Sequence, residues 1–272
     1  NLFAKKSIPV TAFWVADTAR RFPEIVREME SAGHETGTHS LYHETVGDSL
    51  FEIPGTYPLL PEEVQPRIKL ATDILEDIVG HKVVSWRCPR LFGGTHVTNA
   101  LESLGYECDA TYPMYYYNEQ LFPYHPSQEN WTEQGSLNLI EIVQFADMGM
   151  ESKDANGRDK DQWPLYRTQS TAEFIPHIES FMSYLEKNDQ SQKPIVLCFY
   201  FHPWEFWEMP EGVIHFGEGG VLPDPFLTKG CGKYCLNQVE LLIDWLKSKE
   251  AAFLTAGQCA SKWKNILAQT DP

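Results

Sequence analysis

The chain has 272 residues, enough for one large α/β domain or two ordinary ones, and 42% of them are hydrophobic, which supports a real core. Twenty-two Lys and Arg against thirty-eight Asp and Glu leave a net charge of -16, which repels a phosphate backbone or an anionic membrane surface and excludes nucleic acid as an expected partner. No apolar run approaches the ~20 residues of a membrane helix, and the start, Asn1-Leu2-Phe3-Ala4-Lys5-Lys6, is not built like a secretion signal, so a soluble, cytoplasmic protein is expected.

In chain order, short β-branched or aromatic runs alternate with helical patterns, the signature of parallel βα units. Strands are predicted at 10–16, 35–39, 83–87, 107–110, 139–145, 194–202 and 252–256. Helices are predicted at 22–32, 62–79, 97–104, 171–187 and 236–249. Gly33, Gly80 and Gly105 each follow the last helical residue, where a left-handed cap suits glycine. Three stretches fit neither pattern: 113–137, 147–170 and 203–232. Each follows a strand, so in a barrel all three gather on the C-terminal face, where βα loops build active sites. No repeat, low-complexity tract or linker argues for a second domain, and residues 1–272 read as a single domain with these long loops.

The chemistry begins at His39-Ser40-Leu41-Tyr42-His43, after Gly33-His34-Glu35-Thr36-Gly37-Thr38. On one turn of helix, i and i+4 share a face, so both imidazoles reach one ion. Other polar residues stand at the ends of predicted strands: Arg87-Cys88-Pro89, Asp109-Ala110-Thr111-Tyr112-Pro113 and His202-Pro203-Trp204. Six cysteines are too sparse for a disulfide scaffold; Cys231-Gly-Lys-Tyr-Cys235 could close a disulfide or hold half of a metal site, and two free thiols near a helix start are the favoured reading. His34 and Glu35 are expected to brace the loop, and His81, His96, His125, His177 and His215 to be solvated.

From Val10 through 'VTAFWVADTARRFPEIVREMESAGHETGTHSLYHE' to 'FLTAGQ', the order of these motifs resembles the polysaccharide deacetylase family, carbohydrate esterase family four, whose unit is the NodB homology domain. The resemblance implies a distorted (β/α) barrel, its first strand absent from this sequence, and a metal-dependent hydrolase that removes an acyl group from nitrogen, most often acetyl from an N-acetylhexosamine. It implies that His39 and His43 bind a divalent metal, zinc first, and that Ser40 braces their loop. Arg87 is implied to orient a catalytic carboxylate, and His202 to be the catalytic histidine with Asp109 as its acidic partner. Arg90, Tyr112 and Trp204 fall on the substrate and oxyanion side, Arg90 in place of the family's usual aromatic. Tyr200 stands where a leucine is usual. The family's paired aspartates, a third metal ligand and a base, are expected upstream of Asn1; the fallback ligand within the chain is Asp17, at the end of the first predicted strand.

The residue types suit the reaction independently of the family. An amide is inert because its carbonyl is resonance-stabilised and its leaving amine is basic, so a hydrolase polarises the oxygen, supplies hydroxide and protonates the nitrogen. A zinc-like ion serves the first two needs and a histidinium beside a carboxylate serves the third. Rings at Tyr115, Tyr116, Tyr117, Trp131, Trp163, Tyr166, Trp204, Phe206 and Trp207 either stack on sugar faces or pack the long loops. A cyclic amide hydrolase on the same fold and a non-catalytic carbohydrate-binding module are the rival readings.

Overall fold

In the computed structural model, residues 2–161, 165–189, 191, 193–210, 212–215, 217 and 219–270 are described; Trp163 lies outside them. Five short strands, β1 (Thr11–Trp14), β2 (Glu35–Thr38), β3 (Ser85–Trp86), β4 (Cys108–Asp109) and β5 (Ile140–Glu141), form a parallel sheet in chain order. The α/β class and the strand order are those expected of the distorted barrel. Among the described residues, however, the sheet stays open. Segment 194–202 runs alongside it through a single parallel bridge, Gln144 to Cys198, and the predicted strand at 252–256 is not formed.

The helices follow from amphipathic spacing and capping. α1 (Ala16–Arg21) and α2 (Pro23–Ser31) connect β1 to β2; α3 (Pro61–Val79) and α4 (Thr95–Leu104) flank β3. On α3, Val64, Ile68, Ala71, Thr72 and Leu75 are buried, a stripe at helical spacing, and Glu63 reaches back to the Leu60 N–H at 3.2 Å. Gly80 (φ 78°) and Gly105 (φ 74°) close α3 and α4 in the left-handed conformation, as predicted. α5 (Thr171–Asn188) and α6 (Lys233–Ser248) cover a second, aromatic core around Phe145, Tyr166, Phe174 and Phe181. α7 (Ala256–Thr270) begins where the last predicted strand would end, and its start is a reciprocal cap. The Thr255 N–H donates to Gln258 Oε1 at 3.1 Å and the Gln258 N–H to Thr255 Oγ1 at 3.3 Å.

Strand alternation decides what each strand end can reach. Trp86, Asp109 and Glu141 are register partners and share one face, on which Trp86 packs against Val64, Ile68, Val97 and Leu101 of α3 and α4. Phe13, Gly37, Arg87 and Ala110 lie on the other. Along 194–202, Leu197, Phe199 and Phe201 enter the aromatic core while Cys198 and Tyr200 turn toward Arg87. No helix among the described residues is long and apolar enough to cross a membrane.

Glu35 does not brace the histidine loop, as the sequence suggests; it stitches the opposite end of the sheet. Its carboxylate accepts from Thr11 Oγ1 (2.7 Å), Ser85 Oγ (2.5 Å) and the Gly257 N–H (3.1 Å), joining β1, β3 and the start of α7. Glu35→Ala is expected to cost about 3 kcal/mol in urea unfolding, because charge-assisted bonds are lost and a helix N-terminus loses its anion. A change under about 0.5 kcal/mol, the usual effect of a neutral surface site, would contradict this account.

Candidate active site at the sheet mouth

His39 and His43 lie in the loop after β2 and not on a helix. The loop turns twice through left-handed backbone, at Ser40 (φ 63°) and His43 (φ 62°), and this folding brings the two rings together edge to face with centroids 5.0 Å apart. Glu44 holds the turn: Oε2 accepts from Ser40 Oγ (3.0 Å) and from the Tyr42 N–H (2.6 Å). Arg90, itself left-handed at φ 61°, donates to the His43 carbonyl at 3.0 Å and to Thr45 Oγ1 at 3.3 Å. Four of the seven described non-glycine residues with positive φ (Ser40, His43, Arg90 and Leu91) therefore crowd one mouth. Such strain, on the order of 1 kcal/mol or more per residue, concentrates where a site needs it.

The two imidazoles are prepared as neutral donors. His39 Nδ1 lies 2.8 Å from the Arg87 carbonyl, which can only accept, so Nδ1 carries the hydrogen and Nε2 presents a lone pair. Burial is the main cause that pushes its pKa down to about 3, and burial likewise lowers that of His43. As a ligand set the pair fits in chemistry but not in number. Among the described residues no three His, Cys, Asp or Glu side chains are arranged to hold one metal ion. Asp17, the fallback ligand, is corrected by its contacts: Oδ1 pairs with Arg20 at 2.7 Å and Oδ2 with Arg21 at 2.6 Å, which hold its carboxyl below the usual range.

Arg87 lies at the centre of the mouth. Its guanidinium covers the Phe13 ring at 4.5 Å and approaches the Tyr200 ring at 5.9 Å, while Nε donates to the Ala110 carbonyl at 2.8 Å and Nη2 to Gln144 Oε1 at 3.2 Å. Phe13 in turn lies over Gly37, where an added Cβ would come within 2.7 Å of the ring. Tyr200 donates to Asp161 Oδ2 at 2.8 Å and packs edge to face on His202 at 5.8 Å.

His202 is half-exposed at the end of the 194–202 segment, close enough for its charge to oppose protonation of both His39 and His43. Trp204 stacks on it at 5.5 Å and 22°. Its carboxylate is Glu205, not the expected Asp109: Nδ1 lies 3.0 Å from Glu205 Oε1. Alternation explains the correction, because Asp109 is on the helix-packed face of the sheet. There it is fully buried, accepting from Thr111 Oγ1 beside Glu141. Glu205 carries no recognisable signal in the sequence beyond its place three residues after His202, the spacing of a capping box.

Tyr112 is also corrected. It is fully buried, its hydroxyl accepts from the Glu119 and Gln120 N–H groups (3.3 and 3.2 Å), and its own N–H is committed to Glu141 Oε1 at 2.7 Å, so it offers the mouth nothing. Of the loop aromatics, Tyr115, Trp131 and Tyr166 are core residues, whereas Trp204 is half-buried and Trp207 is 75% exposed. Most of these rings pack the loops. His177 and His81 each have a partner, buried Asp147 at 2.8 Å and Glu30 at 3.1 Å, and His81 stays exposed. All six cysteines are free thiols, and burial holds that of Cys235 up at about 12.

Residues 1–108 match the family model described as polysaccharide deacetylase. No curated protein matches the chain. Among solved structures, a probable polysaccharide deacetylase from Pseudomonas aeruginosa PAO1 shares the fold with a TM-score of 0.57 and 16% identity, over 97% of this chain and 70% of its own. The structure of Puue Allantoinase is as near, with a TM-score of 0.55 and 17% identity over 96% of this chain and 69% of its own. The first 108 residues thus match the polysaccharide deacetylase family model, and nearly the whole length of the chain takes the fold of a solved probable deacetylase.

Proposed function

We propose that the protein hydrolyses a carbon–nitrogen bond outside peptides, with an N-acetylated hexosamine glycan as the substrate class. The observation that carries the reading is the convergence of His39, His43 and His202 on one mouth beside Arg87. His39 and His43 would hold a divalent metal, zinc first, which when bound supplies Lewis-acid polarisation of the acyl oxygen. Two side chains are fewer than the three that catalytic zinc normally takes, so the ligand set is completed from outside this pair.

The remaining work falls to the chain's own groups. With Nδ1 turned to Glu205, His202 presents Nε2 outward, where it can hand a proton to the leaving amine. Trp204 covers one face of that ring and keeps it from tilting. Arg87 places a fixed positive charge in the mouth and orients a carboxylate brought there. Arg90 ties the histidine loop to the strand-end loop after β3, so that the loop keeps its strained shape before substrate arrives.

A small cyclic amide is the second reading, favoured by one observation: with Tyr115, Trp131 and Tyr166 buried, the rings expected to form a long stacking cleft are spent in the core. Comparing release of acetate from N-acetylglucosamine oligomers with ring opening of a small cyclic amide, by zinc-supplemented protein, separates the two. Acetate release is the expected result, and activity on the cyclic amide alone would sink the glycan reading. Metal content tests the other half. His39→Ala and His43→Ala are each expected to lower bound zinc at least tenfold, and wild-type protein that retains no more metal than the double variant would reject the assignment.

A further inference from the structure

We infer that Glu205 is the positioning residue of His202, the buried carboxylate that decides which ring nitrogen faces the mouth, with Tyr166 and Arg167 locking Glu205 behind it. The inference rests on the reading of His202 as the proton donor. Glu205 is fully buried, and both of its carboxylate oxygens accept hydrogen bonds. Oε1 accepts from the His202 N–H at 2.7 Å and lies 3.0 Å from Nδ1; Oε2 accepts from Tyr166 Oη at 2.9 Å and from Arg167 Nε at 3.1 Å. Arg167 is as buried as its partner, and its guanidinium is tethered to the carbonyls of Phe226 (3.0 Å), Leu227 (3.3 Å) and Lys229 (2.7 Å). The carboxylate therefore cannot rotate away from the imidazole.

The chemistry of the pair fixes the tautomer. A carboxylate only accepts, so the ring nitrogen facing it must be the one bearing hydrogen, and the opposite nitrogen, Nε2, is left to exchange a proton. Trp204 adds the second constraint by stacking on the ring plane. Other charged or titratable groups around His202 are His39 and His43 from the loop after β2, Tyr200 with Asp161 on its hydroxyl, and Arg87, while Glu205 engages Nδ1.

A purely structural role is the competing explanation, because Glu205 also caps the short 3₁₀ turn Pro203–Phe206. A cap alone needs only the bond to the His202 N–H. The buried Arg167–Glu205 pair is a costly way to provide one, since replacing such a pair with apolar side chains is often neutral or stabilising. A residue kept for positioning, in contrast, must stay charged and immobile.

Imidazole ¹H–¹⁵N spectra of His202, assigned by its loss in His202→Ala and recorded without substrate at a pH where the ring is neutral, test the assignment. Wild type is expected to show the Nδ1–H tautomer. Replacing the ion pair as a unit, Arg167→Met with Glu205→Met, leaves no unpaired buried charge and is expected to return His202 toward the Nε2–H form. In hydrolysis the same variant, and Glu205→Gln, should lose about 10- to 100-fold in kcat with KM unchanged. An Nε2–H tautomer in wild type, or an Nδ1–H tautomer that persists in the double variant, would overturn the inference. Should wild type hydrolyse neither the oligomer nor the cyclic amide, the proposed function fails while the tautomer comparison still decides the role of Glu205.

Discussion

His202→Ala is expected to lower turnover by about 10²-fold or more while leaving bound metal at the wild-type level, because it removes proton delivery to the leaving amine and not a ligand. The imidazole stands at the mouth with Trp204 on its face and Nδ1 engaged by Glu205, so the deletion takes away a placed group that water cannot replace in position. Asp109→Asn is the contrasting variant. Its side chain faces away from the mouth, behind the sheet, and the acid limb of the rate profile should be the same in the variant as in wild type. Loss of zinc in His202→Ala would recast His202 as a ligand. An unchanged rate would remove it from the reaction altogether.

That contrast also marks how far the sequence could be read. Helix ends were legible because glycine at Gly80 and Gly105 and the apolar spacing on α3 are local signals, set by residues within a turn or two of one another. The strand starts at Thr11, Glu35 and Cys108 were legible for the same reason. What a pattern of residue types leaves open is which face a strand end presents. Asp109 has the right type at the right point in the order, yet one residue of register separates it from Arg87's face, and only the pairing of Trp86 with Asp109 settles the question. Glu205 was missed for the opposite reason. Its partners Tyr166 and Arg167 are nearly forty residues away, and no local motif announces a contact of that range. The start of α7 was legible in principle, since Thr255 and Gln258 have capping-box spacing, but the β-prone run ahead of it dominated the prediction.

Displaced from the mouth, Asp109 gains a different consequence. It lies directly across from Glu141 in the β4–β5 register, and both are fully buried. Glu141 Oε1 accepts from the Thr111 and Tyr112 N–H groups at 3.1 and 2.7 Å, and Asp109 Oδ1 accepts from Thr111 Oγ1. The two remaining oxygens, Asp109 Oδ2 and Glu141 Oε2, have no donor among the described residues. Two acceptors placed together in this way are satisfied only when one of them holds a proton, and burial pushes both carboxyls up, Asp109 to about 7 and Glu141 well above the usual carboxylate range, with the charge of Asp109 adding to the second shift.

The sign of the resulting pH dependence is fixed by these directions. In the unfolded chain both acids ionise near pH 4, whereas the folded pair keeps protons above that, so the stability they contribute is whole below about pH 4 and is lost as pH rises through about 7. The slope is about 1.4 kcal/mol per pH unit for each proton retained. His39 and His43 work in the other direction below about 6.5, since their folded values are depressed and protonation favours the unfolded chain there. Comparing wild type with Asp109→Asn cancels that contribution. The amide can donate to Glu141 Oε2 in place of the shared proton, so the unfolding free energy of the variant in urea titrations should exceed that of wild type by an amount that grows from pH 5 to pH 8, reaching about 2 kcal/mol. A difference that stays constant or shrinks as pH rises would mean that the pair is not sharing a proton.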